Sequence, residues 1–109
     1  MDFAIRIVKF YKYLCDEKKE YVMSKQILRS GTSIGANVRE SKNAQTAPDY
    51  LTKMNIALKE ADETQYWLEL LFKSDYITKE EYQSLNEDLK EVIAILVSIV
   101  KKLKDKVKK

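Results

Sequence analysis

Both glycines of the chain fall in one stretch, Leu28 to Glu40, which reads LRSGTSIGANVRE. Residues four apart on a helix lie one above the other, so Gly31 and Gly35 share a face. Each costs a helix about 1 kcal/mol relative to Ala. The helical pattern nevertheless runs through them: Ile27, Gly31, Ile34, Gly35 and Val38 form one stripe, and Ser30, Thr32, Ser33 and Ala36 keep the neighbourhood small. A helix that keeps glycine on its apolar stripe is explained by another helix approaching where the Cβ atoms are missing. The alternative is a loop with positive φ at glycine, but no proline or turn dipeptide accompanies these two.

Two glycines and one proline in 109 residues leave few turns and point to long helices. A chain of this length makes one domain, residues 1–109, and buries roughly two-thirds of its unfolded surface. Apolar residues at 45% and charged residues at 34% exclude a disordered chain. The net charge of +3 permits contact with an anion without requiring it. A lone cysteine, Cys15, excludes an internal disulfide and suits a reducing, cytoplasmic setting. Neither a signal peptide nor a run of the ~20 apolar residues that span a bilayer is visible, so no membrane partner is expected.

Four amphipathic helices are read from the apolar spacing, over roughly 2–19, 23–43, 47–73 and 78–106. In the first, Phe3, Ile7, Phe10 and Leu14 repeat at heptad spacing, Cys15 falls on the apolar side, and Arg6, Lys9 and Lys12 make a basic row. That row is either a solvated face or a phosphate-facing one. In the second, Ser24 is a possible N-cap, and Lys25, Arg29, Thr32, Ser33, Ala36, Arg39 and Glu40 lie opposite the apolar stripe. Lys25 and Arg29 are like charges at i, i+4, which repel unless an anion sits between them. That anion is either a carboxylate of a neighbouring helix or a phosphate. Asn37 borders the apolar stripe, where an amide is expected to bond across a helix interface.

The third helix opens with Thr46 as N-cap, Pro48 in the first turn and Asp49 at N3. Tyr50, Leu51, Met54, Ala57, Leu58, Ala61, Leu68 and Phe72 make its core face. Ile56, Tyr66, Trp67 and Leu70 form a second stripe that points to another packing partner. Thr78 to Glu81 reads as a capping box, with Ile77 and Tyr82 as its hydrophobic staple. The fourth helix repeats Tyr82, Leu85, Leu89, Val92, Leu96, Ile99 and Leu103, and Ile93, Ile95, Val97 and Val100 widen the stripe. The apolar arc then covers about 200°, more than one core requires. Ile56, Trp67, Leu70, Ile93, Val97 and Val100 are therefore expected at an oligomer interface. The basic tail KKLKDKVKK either caps the helix dipole or meets nucleic acid.

The chain has no histidine, which removes the usual general base and the Glu-x-x-His pair of di-iron bundles. Glu40, Glu60 and Glu63 could form an all-carboxylate metal site, but ion pairs with Arg29 or Arg39 are the simpler reading. Gly31 and Gly35 match neither a P-loop nor a dinucleotide fingerprint. No enzyme activity, cofactor, metal or small-molecule substrate is expected.

QILRSGTSIGANVRE, followed by KMNIALKEADETQYWLELL and DYITKEEYQSL, resembles the bacterial four-helix-bundle proteins encoded by intervening sequences of 23S ribosomal RNA genes. The resemblance covers nearly the whole chain. The same family is similar to the accessory protein of diversity-generating retroelements, a basic, barrel-like homopentamer that binds a reverse transcriptase and nucleic acid. The resemblance implies an all-α, antiparallel up-down-up-down bundle assembled as a homopentamer. It places Arg29, Ser33, Asn37 and Glu40 at motif positions, with Gly31 and Gly35 between them. Two functions are expected from residues and resemblance together. One is an oligomeric module that contacts structured RNA or an RNA-binding protein through Arg6, Lys9, Lys12, Lys25, Arg29 and Arg39. The other is a protein scaffold without nucleic-acid affinity. They differ in whether those cations converge on one surface or are each neutralised by carboxylates.

Overall fold

A computed structural model describes residues 1–107; Lys108 and Lys109 of the basic tail lie outside the described residues. Four helices account for almost all of it: α1 (Asp2–Asp16), α2 (Met23–Ser41), α3 (Ala47–Lys73) and α4 (Lys79–Val107). They pack into a body of 50 × 21 × 20 Å. The most extensive contacts are α2 with α3, then α3 with α4 and α1 with α2, and side-chain bonds from Arg6 join α1 to α4. Ile7 and Leu14 of α1, Ile27 and Ile34 of α2, Met54, Ala57, Ala61, Leu68 and Leu71 of α3, and Leu85, Leu89, Leu96 and Val100 of α4 form one apolar core. No helix among the described residues is long and apolar enough to cross a membrane.

The glycine stretch is helical throughout, and neither glycine has positive φ, so the loop alternative is excluded. A Cβ at Gly31 would come within 2.9 Å of Ile7 Cγ2, and close approach of α1 is the reason this residue has no side chain. Gly35 differs: a Cβ there would meet nothing within 4 Å. The shared-face argument holds for Gly31 alone, because α1 presses on α2 at one turn and not at the next.

Helix ends follow local chemistry, with one correction. Ser24 does not cap α2. The carboxylate of Glu20, in the preceding turn, accepts from the backbone N–H groups of Val22 and Met23 at 2.9 Å and of Ser24 at 2.7 Å. Ser24 Oγ returns a bond to the Glu20 carbonyl at 2.9 Å. A buried carboxylate thus satisfies three N–H groups that a helix start leaves unpaired. Thr46 accepts from Asp49 N at 3.2 Å, as the spacing predicts. Thr78 and Glu81 exchange both capping-box bonds, at 2.8 and 3.1 Å. Burial pushes the Glu81 pKa up, but the bonds from Thr78 and Tyr13 outweigh it and hold the carboxyl below its ordinary range. With no glycine available, α3 ends in a Schellman motif built on Asp75 at φ 66°, where Tyr76 N donates to Leu71 O at 3.0 Å and Asp75 N to Phe72 O at 3.1 Å.

Candidate nucleic-acid interface

The cations expected from sequence divide into those held by carboxylates and those in no ion pair among the described residues. Arg6, on the flank of α1, donates to the Ser84 carbonyl at 3.1 Å, to Ser84 Oγ at 2.6 Å and to the Asp88 carboxylate. Its bonds hold α1 against the first half of α4. Arg29 donates to Glu60 Oε2 at 3.3 Å and to the Glu63 carboxylate, both on α3. The Glu63 bond holds the guanidinium proton more tightly than usual, with burial opposing it, so the Arg29 pKa is raised. Of the like-charged Lys25 and Arg29, Arg29 alone meets carboxylates, both from α3 of the same chain, and Lys25 is in no ion pair among the described residues. Such half-exposed pairs add little stability, but they fix register and occupy the donors a phosphate would use.

Lys9, Lys12, Lys25 and Arg39 are exposed, and among the described residues none lies within an ion pair. Lys9 and Lys12 lie on α1, Lys25 in the first turn of α2 and Arg39 in its last. Glu40 reaches Lys53 Nζ at 2.7 Å. The three carboxylates weighed as a metal site therefore serve two separate cations, Arg29 and Lys53.

The rest of the α2 stretch looks inward on itself. Ser33 Oγ donates to Arg29 O at 2.6 Å, and Asn37 Nδ2 donates to Ser33 O at 2.9 Å. The expectation that Asn37 bonds across a helix interface is corrected: its amide stays within its own helix. Between α2 and α3 a buried bond is made by hydroxyls instead, Thr64 Oγ1 donating to Ser30 Oγ at 2.9 Å. Among the positions expected at an oligomer interface, Val100 is 5% exposed and belongs to the core, which corrects that assignment. Trp67 and Ile93 are half-buried against the core; Trp67 also donates to Glu63 Oε2 at 3.2 Å. Leu70 is half-buried, while Ile56 and Val97 stay exposed.

The densest collection of unpaired cations was not proposed as a site residue by residue. Lys101, Lys102, Lys104 and Lys106 follow one another at the end of α4, all exposed, interrupted only by Leu103 and Asp105. No ion pair holds any of them among the described residues. The α2–α3 connection lies against these turns: Ala44, Ala47 and Tyr50 face Ile99, Lys102 and Lys106 across one groove. Lys42, the exposed C-cap of α2, stands two residues from Ala44, and Arg39 one turn before it. One end of the molecule thus gathers basic side chains from two helices. Its acidic members are few: Glu40 is tied to Lys53, Asp49 sits in the first turn of α3 beside its positive dipole end, and Asp105 lies exposed between Lys104 and Lys106. The signal for this surface was in the tail's composition, but its union with the end of α2 depends on the packing.

A family model described as 23S rRNA-intervening sequence protein matches residues 1–98. A crystal structure from Bacteroides thetaiotaomicron, described as a protein with unknown function from the S23 ribosomal protein family, is 61% identical. It superposes with a TM-score of 0.90 over 92% of this chain and 93% of that one. No curated protein matches the chain.

Proposed function

The chain belongs to the family of 23S rRNA-intervening sequence proteins, and from that premise we propose that it is a non-catalytic, oligomeric module that contacts structured RNA through the basic end formed by α2 and α4. The observation that carries this is the set of exposed lysines between Lys101 and Lys106, none in an ion pair among the described residues, at the end of α4 that shares a groove with the connection following Arg39 and Lys42. Lysines on a helix reach phosphates as mobile point charges and read no sequence. Binding is weak in specificity and steep in salt, because each neutralised phosphate releases counterions. The absence of histidine from the chain supports a non-catalytic role, and the lone cysteine supports a cytoplasmic one.

The finer architecture belongs to the same proposal. The residues form one domain, and its helices alternate in direction. Support comes from the pairing order of α2 with α3, where Arg29 meets Glu60 and Glu63 while Glu40 meets Lys53. Short connections between successive helices favour the same arrangement. Copies assemble through four of the apolar residues left exposed, Ile56 and Tyr66 of α3 and Ile95 and Val97 of α4. A pentamer, suggested by resemblance, multiplies a modest basic end fivefold and lets avidity compensate for weak single contacts.

The test is RNA affinity by fluorescence anisotropy at 50 and 200 mM salt. Lys101→Glu with Lys104→Glu lowers affinity several-fold and flattens the salt dependence by about 0.9 log unit per lost duplex phosphate contact. Arg29→Glu leaves RNA binding nearly unchanged, since that guanidinium is already engaged. The pairing of Arg6 and Arg29 with carboxylates favours the scaffold reading, which replaces this one if the unaltered protein binds no RNA at the lower salt.

A further inference from the structure

We propose that the groove at the basic end receives an unpaired nucleobase, so that the RNA taken there is single-stranded at the point of contact. The inference rests on the RNA reading above and narrows it. Its origin is a mismatch of helix lengths. α1 has 15 residues and α4 has 29, about 22 and 43 Å at 1.5 Å per residue. Arg6 fixes α1 beside Ser84 and Asp88, so the second half of α4 runs on without it. Ile95 is 61% exposed there. Beyond it the groove opens, with Ala47 and Tyr50 on one wall and Ile99, Leu103, Lys102 and Lys106 on the other.

The lining suits a nucleotide in two ways. A base has an apolar π-face that stacks on an aromatic ring whatever its identity, and Tyr50 is half-buried at the groove with small Ala47 beside it. Lys102 and Lys106 are i, i+4 neighbours of like charge that repel until an anion lies between them, and Asp105, on the same turn, is in no ion pair with either among the described residues. A phosphate attached to the stacked base supplies that anion. Duplex RNA cannot enter, because its bases are stacked within the helix and it offers only phosphates and 2′-hydroxyls. A protein helix fits less well. The groove runs from Ile99 to Lys106, about 10 Å of α4, whereas a helix of the ~12 residues needed to persist in water is about 18 Å long.

The test titrates isotope-labelled protein with a ten-nucleotide single-stranded RNA and with a ten-base-pair RNA duplex, both read by NMR and anisotropy. The single strand shifts the Tyr50 ring, the Ala47 methyl and the Ile99 and Leu103 methyl signals; the duplex shifts signals of the exposed lysines only. Tyr50→Ala weakens single-strand binding five- to tenfold or more and leaves duplex binding alone, while Tyr50→Phe behaves as the unaltered protein. If Tyr50→Ala does not fold, the shift map of the unaltered protein still decides. Equal binding of both RNAs with unmoved Tyr50 and Ala47 signals overturns the base-in-groove inference and leaves the RNA reading standing. No binding of either RNA at low salt overturns the RNA reading itself. A 12-residue acidic amphipathic peptide that shifts the groove methyls when the single strand does not would replace the base with a protein partner.

Discussion

Gly31 and Gly35 carry the same residue type one turn apart, yet the physics at the two positions is opposite. At Gly31 a side chain collides with Ile7, which is fully buried and has no room to retreat. Gly31→Leu therefore costs about 1–3 kcal/mol by overpacking. At Gly35 an added methyl meets nothing within 4 Å, so Gly35→Ala gains up to about 1 kcal/mol of helix propensity. Thermal melts of dilute protein check both: Gly31→Leu lowers the midpoint, Gly35→Ala raises it by a few degrees. A midpoint that rises in Gly31→Leu contradicts the close packing of α1 on α2.

At the scale of the element, three of the expected features are local and were visible as such: Thr46 with Asp49, the Thr78–Glu81 box, and the apolar stripes. Glu20 was not visible. Its side chain acts from the turn before α2, outside the Ser/Thr/Asp/Asn position where a cap is sought, and only the fold of that turn brings it back to the helix start. Because Glu20 is 6% exposed and holds three N–H groups, Glu20→Ala is expected to cost about 1–3 kcal/mol, the penalty for unpaired buried donors. Glu20→Gln, which keeps one acceptor oxygen, costs less. Urea denaturation of the two variants ranks them; equal loss in both would mean that the charge, and not the number of acceptors, stabilises α2.

For the whole molecule, the exposed apolar residues decide what is predicted. Ile95 and Val97 on α4 are 61% and 46% exposed, and Ile56 and Tyr66 on α3 are 37% and 58% exposed. Isolated exposed apolar residues are ordinary; the proposed assembly has these four covered by neighbouring copies. Sedimentation velocity at micromolar concentration is expected to show a discrete oligomer. Val97→Glu with Ile56→Glu shifts it toward the monomer without loss of helical circular dichroism. A monomer at every concentration for the unaltered protein removes the avidity on which the proposed RNA affinity depends.

The sequence by itself determined the four helices, their approximate ends and the need for a glycine beneath a crossing helix. Those features depend on residues within a turn or two of one another, where spacing and capping chemistry act directly. It also supplied every cation without saying which were free. Arg29 finds its carboxylates 31 and 34 residues away and Arg6 finds Asp88 at a separation of 82. No periodicity encodes such pairings, because they arise from helix packing. The same holds for the groove at the basic end. Tyr50 packs against the core, as its place on the apolar stripe of α3 predicts, and Lys102 belongs to a basic tail; only the packing of α3 on α4, with α1 too short to reach this end, brings both to the lining of one groove.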